Sequence, residues 1–221
     1  MAVWWTYRLE DFLLFSPKTY YRLYELYNAE IWPLQLLAVA FGVAIPVLIR
    51  KGGAGCGKAV SAILALGWVW VAWGFHYRHY ATINWAAVWF AAAFALQAGL
   101  LVWVGVVRGA LDLLPFRDAT SRVGLGVFLF ALLIFPLVEL SLGRSWGGLG
   151  VFGISPDPTV LATLGVLLMA RQGHGTLLLI PLAWCVVGGA TLWSMGSAEA
   201  LLLPAAGLLV LVLAGLRRAH T

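Results

Sequence analysis

The sequence predicts an all-α, polytopic membrane helix bundle of seven transmembrane helices, with the N-terminus outside and the C-terminus inside. Three observations predict it. Of 221 residues, 62% are hydrophobic and only 10% charged, with a mean hydropathy of +0.93; soluble domains carry roughly 25% charged residues. Long apolar runs recur along the chain, most of them near the roughly 20 residues that a helix needs to cross the hydrocarbon. Basic residues gather on one side of those runs. The net charge of +5 therefore reads as lysine and arginine retained on the cytoplasmic side, not as a nucleic-acid footprint.

Residues 1–30 are expected to form an N-terminal amphipathic interfacial segment, and 31–221 the transmembrane domain. The opening stretch MAVWWTYRLEDF lacks the basic-then-apolar order of a signal peptide. The following LEDFLLFSPKTYYRLYELYNAE is too charged to span, carrying Glu10, Asp11, Lys18, Arg22 and Glu25. Ser16 before Pro17 is a helix start, a capping hydroxyl followed by a ring whose missing N–H costs nothing there. Tyr20, Leu23, Tyr24 and Tyr27 recur at spacings of three and four, an amphipathic stripe. The helix is expected to lie on the outer membrane surface as an anchor, or as a lid over an external cavity, with a short helix at 9–15 before it.

The expected spans are 31–49, 59–75, 83–107, 123–142, 159–170, 176–193 and 200–216. The fifth is short, about 12 residues or roughly 18 Å of helix. Charge argues for counting it. With seven crossings, the inside holds Arg50, Lys51, Lys58, Arg108, Arg117, Arg122, Arg171, Arg217 and Arg218, nine of the fourteen basic residues, with only Asp112 and Asp118. Glu10, Asp11, Glu25, Glu30, Glu139, Asp157 and Glu199 lie outside. Without the fifth crossing, Arg171, Arg217 and Arg218 move outside and the bias mostly vanishes. Trp4, Trp5, Trp32, Trp73, Trp85, Trp146 and Trp193 mark the outer interface, where indole is half wet.

Three stretches carry a resemblance: WWTYRLEDFLLFSPKTYYRL, INWAA at residues 83–87, and FGISPDPTVLATLG at residues 152–165. On these the chain resembles, over its whole length, a family of bacterial integral membrane proteins known only as a domain of unknown function. The resemblance implies a multi-pass protein of the bacterial cytoplasmic membrane. It implies no activity and supplies no catalytic residue.

The candidate site residues are the ionisable groups near the outer ends of the spans: His76, Arg78, His79, Glu139, Arg144 and Asp157. His76 and His79 lie in FHYRHY at the wet end of a helical hairpin. Three apart, they share a face if the helix continues by a turn. They read either as an interfacial belt with Arg78 snorkelling outward or as two metal ligands short of a third, which Glu139 or Asp157 would supply. Glu139 follows Pro136 within the fourth span, where a carboxylate faces the bundle interior or a water-filled cavity. Arg144 is near enough along the chain to neutralise it. In GISPDPTV, Ser155 or Asp157 caps the short fifth helix, whose buried N-terminus favours an anion. Tyr20, Tyr24 and Tyr27 are the lid or anchor.

Several classes are excluded. GGAGCGKA fits the spacing of a phosphate-binding loop, but Ala59 stands where Ser or Thr is required, and no strand precedes it. The last span has no lysine to hold retinal. Cys56 in a loop and Cys185 in mid-span do not suggest a disulfide. Gln35 and Gln97 read as interhelical hydrogen-bonders. The predicted function is thus a small inner-membrane protein with a periplasm-facing polar cavity, a transporter or binder of a small solute or ion. In that reading Glu139 matters and Glu199 serves as its inert comparison. The alternatives are an accessory subunit of a larger or homo-oligomeric membrane complex, or a redox protein using His76 and His79 for metal or haem. The sequence specifies no cofactor.

Overall fold

The computed structural model of the chain describes residues 15–113, 115, 116, 118–171 and 175–219. The short helix expected at 9–15 lies outside them except for Phe15, as do Trp4, Trp5, Arg8, Glu10, Asp11 and Arg117. Among the described residues the fold is all-helical, with one isolated β-bridge between Leu113 and Ala170.

Helix α1 (Pro17–Glu30) starts where the sequence sets it. Ser16 Oγ accepts from Thr19 N at 3.1 Å, with Pro17 at the first position. Its buried face is Tyr20, Leu23, Tyr24, Tyr27 and Asn28. Helix α2 (Leu34–Lys51) packs on α3 (Cys56–Trp70), which runs on through a π-helical stretch, Val71–Tyr77. Helix α4 (Ala87–Leu101) likewise continues as π-helix over Val102–Val107. Helix α5 (Ala119–Leu129) passes through π-helical Phe130–Ile134 into α6 (Phe135–Ser141). Then come α7 (Pro156–Met169), α8 (Gly175–Ser194), and α9 (Leu202–Ala219) with a 3₁₀ turn before it at Ala198–Leu201.

The expectation of seven transmembrane helices is corrected to six. Leu34–Lys51, Cys56–Thr82, Ala87–Val107, Ala119–Ser141, Gly175–Ser194 and Ala198–Arg217 are long and apolar enough to cross a membrane. The fifth apolar run forms α7, of 14 residues. That is about 21 Å of helix against a hydrocarbon core of roughly 30 Å. These lengths and compositions make the chain a multi-pass membrane protein.

Helix α7 is short because it is internal. Every residue from Pro156 to Met169 is buried, enclosed by α3, α5, α8 and α9. A helix apolar all round belongs in such a place. Its closest neighbour is α5. A Cβ on Gly165 would stand 2.6 Å from the Gly124 carbonyl oxygen and 2.7 Å from Phe128 N, and a Cβ on Gly124 would stand 2.6 Å from the Gly165 oxygen. Paired glycines let two backbones approach to a distance that no side chain permits.

Contacts define the two ends of the bundle. At one, Arg171 N donates to Asp112 O (2.8 Å), Arg217 donates to Ala170 O (2.5 Å), and Arg217 pairs with Asp118 at 3.0 Å. Asp118 also caps α5 through Ser121 N at 2.7 Å. At the other end lie α1, the stretch 143–155, and the α8–α9 turn. Residues 143–155 and α7 together carry the chain from one end to the other.

Candidate functional site

The site is assembled at the α1 end. Proline at 136 removes a backbone N–H and its ring collides with the carbonyl four residues back. The chain widens into the π-helical turn Phe130–Ile134 just before it. Phe135 and Glu139, one turn apart on α6, then face inward, and Glu139 is 3% exposed. Its Oε2 accepts from Gly150 N at 2.5 Å. Its Oε1 lies 3.2 Å from Arg144 Nη1. The other arm of the Arg144 guanidinium donates to Glu199, itself buried at the start of the last span. Arg144 also lies over the Tyr21 ring, 4.3 Å from its centroid, and 5.9 Å from the centroid of Tyr24. A guanidinium suits this place because its planar fork serves two carboxylates while its face stacks on an aromatic ring.

Above this cluster opens a polar vestibule of about 530 Å³, lined by Tyr21, Glu25, Ser145, Met195 and Ser197, with Arg144 and Glu199 in its wall. Tyr21 hydrogen-bonds Ser197 across it. Ser145 donates to Glu25 at 2.6 Å, and Arg22 pairs with Glu25 at 2.7 Å. The hydrogen bond from Ser145 and the Arg22 guanidinium hold the Glu25 carboxyl below the ordinary glutamate range. Asn28 fastens α1 to the stretch behind by donating to Gly147 O and Leu149 O at 2.8 and 2.9 Å.

Beneath α1, Tyr27 donates to Ile154 O at 3.0 Å and accepts from Trp70 Nε1 at 2.8 Å. The Tyr20 and Tyr24 hydroxyls are 3.3 Å apart. Asp157 is buried, and Trp184 Nε1 of α8 donates to its Oδ1 at 2.8 Å. Asp157 therefore does not cap α7. Ser155 holds the cap position, but its hydroxyl accepts from Val151 N at 3.2 Å rather than from the helix.

The structure divides the six sequence-predicted residues into four places. Glu139 and Arg144 touch. Asp157 lies deeper, on Trp184. His79 and Arg78 go to the surface of α1: His79 Nε2 is 3.0 Å from Glu30 Oε2, its Nδ1 is 2.7 Å from Gly74 O, and Arg78 lies 3.8 Å from Glu30. The hydrogen bond from His79 and its nearby charge lower the Glu30 carboxyl below its ordinary range. His76 is fully buried in an aromatic cage, 4.5 Å from Phe94 and 5.0 Å from Trp184 between ring centroids. Neither of its ring nitrogens has a hydrogen-bond partner. The ring packs edge-to-face against Phe94 and Trp184. His76 and His79 thus do not face a common centre, because the wider π-helical turns after Trp70 change the helical phase that an α-helix would keep. Among the described residues, no three or more His, Cys, Asp or Glu side chains are grouped to hold a metal.

Sequence reasoning missed Glu199, Tyr21 and Trp184. Glu199 meets Arg144 from 55 residues away, a distance that no local pattern encodes. Its place at the head of an apolar run, followed by no nearby cation, was the available signal.

The fold and site together define a multi-pass membrane helix bundle with a buried arginine–carboxylate cluster below an end-on polar vestibule. The chain belongs to the Family of unknown function (DUF6064), which matches residues 17–221. No curated protein and no solved structure matches it.

Proposed function

We propose that the chain is an inner-membrane protein that admits a small cationic solute from the periplasmic side into the vestibule, as the outward-open state of a transporter. The observation that carries this reading is Arg144, held by Glu139 and Glu199 and stacked on Tyr21, at the base of a cavity of about 530 Å³. Glu25 and Glu199 in the vestibule lining offer carboxylate oxygens to an ammonium or guanidinium group. Around the vestibule and beneath it, Glu25, Glu139, Asp157 and Glu199 outnumber Arg22 and Arg144. Such an imbalance draws cations into a low-dielectric cleft.

The orientation follows from charge. The end opposite the vestibule carries Arg50, Lys51, Lys58, Arg108, Arg122, Arg171 and Arg217, as a cytoplasmic face does. The irregular stretch 143–155 with α7 returns the chain between the two ends of the bundle, and on this reading the N-terminal segment lies outside and the C-terminus inside. The 1–30 segment is then an interfacial anchor, and the tyrosines of α1 are a fixed roof beside the entrance. On this reading the contacts of Arg217 with Asp118 and Ala170 join α9 to the start of α5 and the end of α7 at the cytoplasmic end.

The test is calorimetric titration of the purified protein with millimolar methylguanidinium and methylammonium chlorides, with sodium acetate as the anionic comparison. Saturable binding of an amine, lost in Glu199→Gln while circular dichroism stays native, is expected. Binding of acetate alone, or amine binding unchanged in Glu199→Gln, overturns the reading.

A further inference from the structure

A second groove lies on the opposite flank of α1, away from the vestibule. It has a volume of about 430 Å³ and is closed by the turn that follows α3. Its rim carries Lys18, Arg22, Arg78 and His79, with Thr19 and Thr82 beside them, and its floor is Leu23, Leu26 and Ile83. Arg22 shares Glu25, and Arg78 shares Glu30. Lys18 has no acidic partner among the described residues. Lys18, Arg22 and Arg78 outnumber Glu25 and Glu30 among the described residues, and His79, also in the lining and 3.0 Å from Glu30, adds to the positive side when protonated.

The surroundings are apolar and exposed. Leu26 is 55% exposed, and Trp73 and Tyr77 flank the same turn at 50% and 58%. Exposed Trp and Tyr beside snorkelling cations mark the headgroup level of a bilayer. Arg78 is held there over the Trp73 ring at 5.1 Å. The groove is thus divided by chemistry, cationic toward water and aliphatic toward the hydrocarbon.

We propose that this groove binds the phosphodiester of an anionic phospholipid, with the phosphate between Lys18, Arg22 and Arg78 and an acyl chain over Leu26 and Ile83. The net positive rim complements the anionic phosphodiester of a phosphatidylglycerol headgroup. The aliphatic floor favours a lipid over free phosphate, which has no use for it. The bound lipid fixes α1 at the membrane surface, so the site acts on the anchoring helix and is independent of the vestibule's ligand.

The experiment uses the full chain, delipidated in a neutral detergent, with thermal unfolding followed against added dioleoyl-phosphatidylglycerol, dioleoyl-phosphatidylcholine or inorganic phosphate. Phosphatidylglycerol alone is expected to raise the melting temperature saturably. The double variant Lys18→Gln/Arg22→Gln, both at exposed positions, is expected to bind it about thirty-fold more weakly, from about 1 kcal/mol per cation near an anionic surface. Lys58→Gln, an exposed cation at the far end of the bundle, leaves binding unchanged. Equal effects of the two lipids, protection by inorganic phosphate alone, or equal weakening by Lys58→Gln each overturns the proposal.

Discussion

Replacing Arg144 by methionine removes the only cation between two buried carboxylates. Glu139 is 3% exposed and keeps just its bond from Gly150 N; Glu199 is 5% exposed and loses the guanidinium. Breaking a buried ion pair from one side costs about 3–5 kcal/mol, because the remaining charge stays desolvated. Loss of the Tyr21 contact adds about 0.5–1 kcal/mol. For a chain of this size each kcal/mol moves the melting temperature by about 2–4 °C, so Arg144→Met should melt roughly 7–24 °C below the wild type. The triple variant Glu139→Gln/Arg144→Met/Glu199→Gln should recover most of that loss, since neutral replacements of a buried charge cluster are tolerated. The assay is thermal unfolding in detergent of wild type, single and triple variants. A single variant within about 1 kcal/mol of wild type, or a triple variant less stable than the single, refutes the claim that the cluster is a desolvated ion triad.

Other predictions rest on single contacts. Trp184→Phe keeps the ring and removes the donor to Asp157, and should cost about 1–3 kcal/mol in the same unfolding assay, whereas Trp193→Phe, at an exposed position, should cost almost nothing. Gly165→Ala drives a methyl against the α5 backbone and should destabilise by about 1–3 kcal/mol or more, while Gly126→Ala, which meets nothing within 4 Å, should be neutral. Cys56 lies between Lys51 and Lys58 in the chain and Cys185 is buried; on the proposed orientation an impermeant maleimide should label Cys56 in inverted vesicles and not in intact spheroplasts, and the reverse pattern refutes that orientation. Removing the donor to Glu30 in His79→Phe should return its carboxyl upward toward the ordinary range, seen by carboxyl ¹³C titration. Because the Glu30 value is depressed in the fold, its contribution is complete above the ordinary glutamate range and is lost as pH falls through the lowered value; an unchanged titration in the variant refutes the His79 contact.

Local chemistry was legible in the sequence and distant pairing was not. Ser16 and Pro17 fixed the start of α1, and the spacing of Tyr20, Leu23, Tyr24 and Tyr27 identified its buried face. The apolar runs located six of the seven expected spans, the second ending short of Thr82, while the fifth run forms the internal α7. Glu139 was recognisable because a carboxylate inside an apolar run must face a partner, and Arg144 follows within the same turn of chain. Three things were hidden. The phase change at Val71–Tyr77 separates His76 from His79, and its apolar residues carry no signature distinct from an α-helix. Asp157 looked like a cap because capping is a local rule, yet it turns to Trp184, 27 residues on. Glu199 looked like an inert rim acid, and only the tertiary fold brings it to Arg144.

The enclosure of α7 has a consequence for how the chain is made. Ribosomal synthesis delivers α7 before α8 and α9, which later cover it. At that moment a 14-residue segment carrying Asp157, Thr159, Thr163 and two prolines has no protein wall on two sides and too little length to sit in lipid alone. Its final position must wait for the last hairpin to close around it. Truncation before residue 175 should therefore leave a product that membrane quality control removes, with α7 as the degron.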